Sequence, residues 1–245
     1  MRFQLITSLV ALSSVYAATV RLAGDSTMAA TGANDGFTAG WGAHIGKYLN
    51  IAIDNAAIGG RSSRSYTREG RFTALANKVV SGDYVIIEFG HNDGGSLSTD
   101  NGRSVCSVGT AGYATTCQTT YNGVSETVQT YYTYLVAAAK LFKSKGANVI
   151  ISSPTPNNVC ETGTCSYTAG RFTGYARDAA SATGSAFVDH GQTTANLYIQ
   201  RGRDVTNSYY PKDHTHTSPA GADAVAQAFI TGLRSSNSTL KNLIK

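Results

Sequence analysis

Short apolar runs rich in β-branched residues alternate along this chain with longer segments in which apolar residues recur at helical spacing. Residues 85–87 and 149–151 both read Val-Ile-Ile, so these runs are continuously apolar. Strands have this composition when both of their faces are covered, as in a parallel sheet packed between helices. Because strands and helices alternate in order, we predict an α/β fold: a three-layer α/β/α sandwich around a central five-stranded parallel sheet.

Local signals place the boundaries of these segments. The predicted strands are residues 19–23, 51–57, 84–89, 148–152 and 185–188, and the predicted helices are residues 41–49, 72–80, 124–145, 170–183 and 219–233. Ser218 and Pro219 are typical of the N-cap and first position of the last helix. Residues 91–122 are rich in Gly, Ser and Thr and follow the third strand. Loops of this length are usually functional or disordered, and the carboxyl edge of a parallel sheet is where such folds bind their ligands.

The first 17 residues have the composition of a secretory signal peptide. A positively charged start is followed by an apolar run and then by small residues that end at Ala17. The apolar run is too short to span a bilayer, which argues against a membrane anchor. We therefore predict cleavage after Ala17 and a secreted, extracellular protein in which residues 18–245 form a single domain, with no membrane partner.

Four cysteines, an even number, suit an oxidising compartment. They allow three pairings, and we favour the local one, Cys106 with Cys117 and Cys160 with Cys165, because each pair flanks a loop rich in Gly, Ser or Thr. Neither pair has the two-residue spacing of a zinc knuckle, so we predict no metal there. Asn237 begins the only N-glycosylation sequon, and its polar surroundings predict an exposed, glycosylated site.

The charge of the chain is only mildly basic, with a formal net charge of +5 and a pI of about 9.0. Such a charge does not imply a nucleic-acid partner, and it is compatible with an acidic polysaccharide without requiring one. Arg61, Arg64, Arg68 and Arg71 cluster on either side of Glu69. This cluster is typical of a solvated face, and the alternative is a surface that attracts an acidic substrate.

Four short motifs, each at the edge of a predicted strand or helix, supply the parts of a hydrolytic site. Ser26 follows the first strand, and Asp213 and His216 form an Asp-x-x-His pair shortly before the last helix. A serine nucleophile needs a base to take its proton and a carboxylate to orient that base. Gly60 and Asn92 stand in the loops after the second and third strands. A backbone N–H and a side-chain amide there can bind an oxyanion together with the backbone N–H of Ser26.

Each of these residues has a structural alternative when taken alone. Ser26 can cap a turn, Gly60 can be a plain turn residue, and His216 can be an ordinary surface histidine. His214 competes for the role of the base. Asp213 and the two histidines also suggest a metal site, but three ligands within four residues crowd one ion, so we predict none. The order of the four motifs favours catalysis, although the G-x-S-x-G elbow of the common α/β-hydrolases is absent around Ser26.

The four motifs resemble the four blocks of the SGNH (GDSL-like) hydrolases, at residues 23–28, 59–62, 90–93 and 213–216. Longer stretches at residues 61–72, 88–96 and 213–221 resemble fungal rhamnogalacturonan acetylesterases, and the similarity covers essentially the whole chain after residue 17. The resemblance implies a flavodoxin-like α/β/α fold. It also implies a secreted serine esterase that removes acetyl groups from the rhamnogalacturonan backbone of pectin through an acetyl-serine intermediate.

The resemblance carries residue roles as well. It places the nucleophile on Ser26 and the acid–base pair on Asp213 and His216. It places the oxyanion donors on Ser26, Gly60 and Asn92. It implies no metal and no cofactor, an acetylated acidic polysaccharide as the partner, and we expect a monomer. The alternatives are a deacetylase for another plant polysaccharide such as acetyl-xylan, a general short-chain esterase, and a non-catalytic carbohydrate-binding protein. On the first interpretation, the arginine cluster attracts galacturonate carboxylates.

Overall fold

A central parallel sheet organises the part of the chain that the computed structural model describes, residues 17–245. The strands are β1 (Thr19–Gly24), β2 (Ala52–Asn55), β3 (Tyr84–Glu88), β4 (Thr116–Tyr121), β5 (Val124–Gln129), β6 (Asn148–Ser152) and β7 (Ala186–Val188). Five of them form the parallel sheet, in the order β2-β1-β3-β6-β7. Numbered within this sheet alone, the order is 2-1-3-4-5, which is the flavodoxin-like order. The predicted α/β fold with a five-stranded parallel sheet is confirmed.

Helices cover both faces of this sheet. They are α1 (Ser63–Arg68), α2 (Arg71–Ala76), α3 (Tyr131–Ser144), α4 (Arg171–Thr183), α5 (His190–Arg201), α6 (Arg203–Ser208) and α7 (Pro219–Ser235), with 3₁₀ helices at Trp41–Ala43, Ile45–Lys47 and Thr239–Leu243. Val85 and Ile87 of β3 pack with α1 to α4 on one face, whereas Ile86 packs with α5 and α7 on the other. Strand β3 is continuously apolar because both of its faces are buried, as the sequence predicted.

The predicted helix at residues 124–145 is wrong in its first part. Val124–Gln129 is strand β5, which pairs antiparallel with β4, and the helix begins only at Tyr131, after Thr130 caps its N-terminus. Asn122 and Gly123 between the strands have φ angles of 51° and 77°. An Asn-Gly turn with positive φ at both residues matches the twist of a β-hairpin. This dipeptide is therefore the sequence signal that could have predicted the hairpin. The predicted irregular region at residues 91–122 accordingly contains β4.

Other helix predictions differ from the structure at glycines and in polar segments. Residues 41–49 form two 3₁₀ turns instead of one helix, and a Cβ atom on Gly42 would lie 2.5 Å from the carbonyl oxygen of Met28. This close contact sets the local backbone. The helix predicted at residues 72–80 is α2, which ends at Ala76. Helices α1, α5 and α6 were not predicted, since their sequences are short or mostly polar; α5 is fixed by burying His190 and Tyr198.

The two cysteine pairs lie at disulfide distance in the local pairing that the sequence predicts, Cys106 with Cys117 and Cys160 with Cys165. The first joins the loop after β3 to β4, and the second closes a loop after β6. Asn237 is exposed after α7, and its glycosylation stays a prediction. Among residues 17–245, every helix is too short or too polar to cross a membrane. The predicted signal peptide lies outside the described residues except for Ala17.

A buried polar network ties the end of β3 to the surrounding layers. Glu88, the last residue of β3, is 1% exposed. Its carboxylate accepts hydrogen bonds from Trp41 Nε1 at 2.8 Å and from the Ser152 hydroxyl, and it lies 2.7 Å from Nδ1 of His190. Burial of a polar side chain is tolerated when it is hydrogen-bonded in this way. The network fixes the strand end from which the loop carrying Asn92 departs.

Candidate active site

Ser26 lies on the turn that follows the central strand β1. Gly24 ends β1 beside Glu88 of β3, and a Cβ atom on Gly24 would lie 2.7 Å from the Glu88 carbonyl oxygen, so only glycine fits there. Asp25, to which the sequence assigned no role, fixes the turn: one carboxylate oxygen accepts hydrogen bonds from the backbone N–H and the hydroxyl of Thr27, at 2.9 and 2.8 Å. The side chain of Ser26 is thereby presented at the carboxyl edge of the sheet.

Ser26 is hydrogen-bonded to His216, which is in turn held by Asp213. The Oγ atom of Ser26 lies 2.8 Å from Nε2 of His216, and Nδ1 of His216 lies 2.8 Å from the Asp213 carboxylate. The second carboxylate oxygen of Asp213 accepts the backbone N–H groups of Thr215 and His216, each at 2.7 Å. The carboxylate thus orients the imidazole so that Nε2 faces the serine hydroxyl, which is the arrangement that proton transfer from serine requires.

Asp213 keeps its negative charge in this position. Its partial burial raises its pKa, but hydrogen bonds from the His216 ring and from two backbone N–H groups outweigh that effect and lower the pKa below its usual value. The segment is anchored beyond His216, where the Thr217 carbonyl accepts the backbone N–H of Ala39 at 2.9 Å and Ser218 caps α7. A charged carboxylate on a fixed turn can stabilise the imidazolium that forms when His216 takes a proton.

His214, the competing candidate for the base, points away from the nucleophile. Its Nδ1 lies 3.5 Å from the carboxylate of Glu161, within the loop that the Cys160–Cys165 disulfide closes, and its side chain is 53% exposed. The backbone carbonyl of His214 accepts the N–H of Asn158 at 2.7 Å. His214 therefore tethers the Asp-x-x-His segment to the neighbouring loop, and the structure pairs only His216 with Ser26.

The loop that carries Gly60 lies beside Ser26 because the chain continues to pair with β1 after β2 ends. The backbone N–H of Ile58 donates to the carbonyl of Gly24 at 3.0 Å, and a Cβ atom on Gly59 would lie 3.8 Å from Cβ of Ser26. Gly60 has a φ angle of 75°, a conformation that favours glycine. Within the described residues, the backbone N–H groups of Ser26 and Gly60 make no hydrogen bond, so both are available to an oxyanion.

The amide of Asn92 is oriented by two hydrogen bonds. Its Nδ2 donates to the backbone carbonyl of Arg61 at 3.1 Å, and its Oδ1 accepts from Nη1 of Arg103 at 3.0 Å. The first bond uses one of the two N–H groups of the amide. The guanidinium group can only donate, so the amide oxygen must face it and the amide nitrogen points the other way. The second N–H is left for an oxyanion. The structure thus brings the five residues predicted for catalysis and oxyanion binding to one edge of the sheet.

Asp93, the residue after Asn92, ties the two oxyanion loops together, a role that the sequence did not reveal. One oxygen of this 1% exposed carboxyl accepts hydrogen bonds from the backbone N–H and the hydroxyl of Ser63, at the start of α1. Burial raises the pKa of Asp93 to about 7 despite these hydrogen bonds, and the nearby Asp25 adds to the increase. The second oxygens of Asp25 and Asp93 are buried without a hydrogen-bond partner among the described residues.

The arginine cluster is neither a simple solvated face nor a free cationic surface. Glu69 lies between Arg61 and Arg71 and is paired with both. The side chain of Arg64 is 0% exposed and is held by Asp100 and Glu126 at 2.8 and 2.6 Å, and Glu126 also lies 3.3 Å from Arg68. Each of the four guanidinium groups therefore has a carboxylate partner, and the four share three carboxylates, Glu69, Asp100 and Glu126. Arg64 and Arg68 fasten α1 to the β4–β5 hairpin and to the loop before it, whereas Arg61 and Arg71 pair locally with Glu69.

A cavity of about 390 Å³ opens beside the site, at the carboxyl ends of β3 and β6. Its walls include His91, Pro154, Asn157, Asn158, Tyr167 and Phe172. The Asn157 side chain accepts a hydrogen bond from the hydroxyl of Thr215 at 2.9 Å, so the cavity wall is connected to the segment that carries His216. Aromatic rings beside amide and hydroxyl groups are suited to binding a sugar, which has both apolar faces and polar edges.

Comparison with known proteins agrees with this geometry. The model of the GDSL-like lipase/acylhydrolase family matches residues 20–229. Over 98% of its length, the chain is 53% identical to a rhamnogalacturonan acetylesterase of Emericella nidulans, of which the match covers 94%. It is 28% identical to the rhamnogalacturonan acetylesterase RhgT of Bacillus subtilis, over 91% of this chain and 92% of that protein.

Solved structures are similar in fold. Protein YxiM of Bacillus subtilis superposes with a TM-score of 0.69 at 21% identity, and the match covers 90% of this chain but only 57% of that one. Axe2, an acetylxylan esterase of Geobacillus stearothermophilus, gives a TM-score of 0.58 at 18% identity, over 88% of this chain and 94% of that one. At these identities the likeness concerns the fold alone. The family match and the 53% identity go further: the chain belongs to the GDSL-like lipase/acylhydrolase family, among the rhamnogalacturonan acetylesterases.

Proposed function

We propose that this protein is a serine esterase that removes acetyl groups from the rhamnogalacturonan backbone of pectin. The observation that carries the proposal is the hydrogen-bonded chain Ser26–His216–Asp213, which ends beside three N–H groups without protein partners among the described residues. A non-catalytic binding protein has no need of an activated hydroxyl next to such donors. The 53% identity to a rhamnogalacturonan acetylesterase supports the substrate class.

In the first half of the proposed reaction, Ser26 attacks the carbonyl carbon of an acetyl group. His216 Nε2 takes the proton of the Ser26 hydroxyl as the new Oγ–C bond forms, and Asp213 stabilises the resulting imidazolium. The negative charge moves to the former carbonyl oxygen. There it is bound by the N–H groups of Ser26, Gly60 and Asn92. When the tetrahedral intermediate collapses, the bond to the sugar oxygen breaks, and His216 donates its proton to that oxygen.

In the second half, water hydrolyses the acetyl-serine. His216, neutral again after the sugar leaves, takes a proton from the water as the water oxygen attacks the acetyl carbon. The same three donors bind the second oxyanion. Collapse breaks the Oγ–C bond, returns the proton from His216 to Ser26 and releases acetate. All proton transfers use one imidazole, so the sequence of steps balances without a metal or a cofactor.

The proposed substrate places the sugar in the cavity beside His216. Because the leaving group must accept its proton from His216, the sugar oxygen has to lie on the side of Ser26 that faces this histidine. The cavity wall nearest this histidine includes Asn157, whose side chain accepts a hydrogen bond from the hydroxyl of Thr215. The acetyl oxygen then faces the opposite side, toward Gly60 and Asn92. This orientation follows from the positions of His216, which donates the proton, and of the oxyanion donors.

Secretion is proposed together with this activity. The predicted signal peptide, the two disulfides and a cell-wall polysaccharide as the substrate are consistent with an extracellular enzyme. Expression of the full chain in a secreting fungal host tests it. We expect the enzyme in the culture medium with an N-terminus at residue 18; an enzyme that stays in the cells with residues 1–17 still attached would contradict the proposal.

Acetate release from acetylated rhamnogalacturonan, measured beside acetyl-xylan, tests the proposed activity. We expect turnover of the first polymer to exceed that of the second and to be lost in Ser26→Ala. Ser235→Ala, which changes an exposed serine at the end of α7, is the matched control and should keep the full rate. Equal rates on both polymers would refute the substrate assignment, and an active Ser26→Ala variant would refute the nucleophile.

A further inference from the structure

One arginine near the site differs from the others in having no counter-ion. Arg103 lies in the loop between β3 and β4 and is half-buried. Within residues 17–245, no carboxylate oxygen lies within 4.0 Å of its guanidinium group, whereas Arg61, Arg64, Arg68 and Arg71 all have acidic partners at that distance. Among these five arginines of the described residues, Arg103 is therefore the one whose guanidinium group has no carboxylate partner.

The guanidinium group of Arg103 lies next to the oxyanion donors. Its Nη1 donates to Oδ1 of Asn92 at 3.0 Å, and a Cβ atom on Gly60 would lie 3.9 Å from the same nitrogen. This is the only side-chain hydrogen bond of Arg103 among the described residues. A guanidinium has five N–H donors, so its Nε and Nη2 groups have no protein acceptor. A planar fork of unpaired donors thus borders the place where the acetyl oxygen is expected.

We propose that Arg103 binds the carboxylate of a uronic acid residue adjacent to the acetylated sugar, and so selects acidic polymers over neutral ones. The proposal rests on the proposed function, because it assumes that the acetylated chain contains uronic acid. In the sequence analysis, the arginine cluster was the candidate for this role. That cluster is unsuited to it, since each of its guanidinium groups already has a carboxylate partner.

The chemistry of the group agrees with a carboxylate ligand. Arginine presents two parallel N–H groups that match the two oxygens of a carboxylate, and such charge-assisted pairs are stronger than neutral hydrogen bonds. The hydrogen bond to Asn92 holds the side chain in place before substrate binds, which lowers the cost of ordering it. Arg103 lies on the side of the oxyanion donors, next to Asn92 and Gly60, and it is not part of the cavity wall. A polymer bound across the site would then have its acetylated sugar at the cavity and a neighbouring uronate at Arg103.

Kinetics on one polymer in two charge states test this role. Acetylated rhamnogalacturonan is assayed as it stands and after its uronic acid carboxyl groups have been amidated, which removes their charge. For the wild type we expect amidation to raise KM by about 10-fold, the size of one charge-assisted contact. For Arg103→Gln, the KM on the untreated polymer should equal the KM of the wild type on the amidated polymer. Amidation should then not change the KM of the variant. Arg71→Gln, which removes an arginine paired with Glu69, is the matched control and should keep the wild-type ratio.

A second measurement separates this proposal from the proposed function. Digalacturonate should competitively inhibit hydrolysis of 4-nitrophenyl acetate by the wild type, and Arg103→Gln should raise its inhibition constant by about 10-fold. That result would support carboxylate binding by Arg103 even if the wild type released no acetate from rhamnogalacturonan, which would refute the proposed substrate alone. The role of Arg103 would be overturned if Arg103→Gln kept the wild-type KM ratio and inhibition constant. A second outcome would also overturn it. If Arg103→Gln lowered kcat equally for every ester but left the KM ratio and the inhibition constant unchanged, Arg103 would only position Asn92.

Discussion

Asp93 offers a direct test of the electrostatics beneath the site. Its carboxyl group is buried between the two oxyanion loops, where it accepts two hydrogen bonds from Ser63 and faces Asp25 and Tyr131. Burial disfavours the charged form of both carboxyl groups and raises the pKa of each. The change we consider is Asp93→Asn. It keeps an oxygen that can accept from Ser63 but removes the titrating proton.

The sign and size of the effect follow from the pKa of Asp93. The pKa is about 7 in the folded protein, against 3.8 for an unperturbed aspartate side chain. Between these values the folded state holds a proton that the unfolded state lacks, so the contribution of Asp93 to stability is complete below pH 4 and is lost as the pH rises through 7. One pKa unit corresponds to about 1.4 kcal/mol, which gives a loss of about 2 kcal/mol between pH 5 and pH 7.

Urea denaturation of the wild type and of Asp93→Asn at pH 5 and pH 7 measures this loss. Asparagine does not titrate, so the stability of the variant relative to the wild type should improve by about 2 kcal/mol from pH 5 to pH 7. The buried amide N–H groups lower the absolute stability of the variant at both pH values, which leaves the difference unaffected. Asp204→Asn, at an exposed carboxylate on α6, should show no such change. If the relative stability of Asp93→Asn is the same at both pH values, Asp93 is not protonated in the folded protein and our account of the buried pair is wrong.

Three further substitutions test the site and its support. Asn92→Ala should keep the fold but lower kcat for 4-nitrophenyl acetate by about 100- to 1,000-fold through loss of one oxyanion donor, and a full rate in the variant would remove Asn92 from that role. Asp213→Asn should lower kcat by about 10,000-fold with an unchanged melting temperature, because the amide no longer holds the required tautomer of His216; a loss below 10-fold would argue against the triad. Arg64→Met leaves Asp100 and Glu126 without their buried cation and should lower the free energy of unfolding by about 3 to 5 kcal/mol in urea, whereas a loss below 1 kcal/mol would show that the pairs are dispensable.

The sheet and the catalytic motifs were predictable because local patterns determine them. Val85 to Ile87 and residues 149–151 are apolar on both faces, and such strands have few places to lie other than the middle of a parallel sheet. Once the strands are parallel, their carboxyl ends share an edge, so residues that directly follow different strands, such as Ser26 and Asn92, must meet there. The fold also brings Ser26 and His216 into contact, although they are 190 residues apart in the sequence.

The rest of the site could not be predicted because it depends on contacts between distant residues. The sequence around Arg64 looks like an exposed basic segment, and only the folding of β4 and β5 over α1 brings Glu126 within 2.6 Å and excludes water. Because the hairpin was missed, the burial of Arg64 and its pairing with Glu126 could not be predicted. Arg103 lies in a segment with no regular pattern, and nothing in its sequence context indicates that its side chain reaches Asn92. The position of Asp93 depends on Ser63 at the start of α1, which is 30 residues away along the chain and donates to its carboxyl.

The position of β1 explains why one site can gather its parts from several loops. The chain passes from β1 to β2 on one side and then to β3 on the other, so the loop after β1 lies between the loops after its two neighbours. Ser26 therefore has Gly60 on one flank and Asn92 on the other, and a negative oxygen formed at Ser26 is within reach of both. The charges around this point favour that oxygen. Arg103 adds a positive charge beside Asn92, while burial keeps Asp93 largely protonated up to a pH of about 7. An ionised Asp93 would instead place a negative charge directly behind the oxyanion donors, so the same burial that costs stability above pH 7 protects the electrostatics of the proposed reaction.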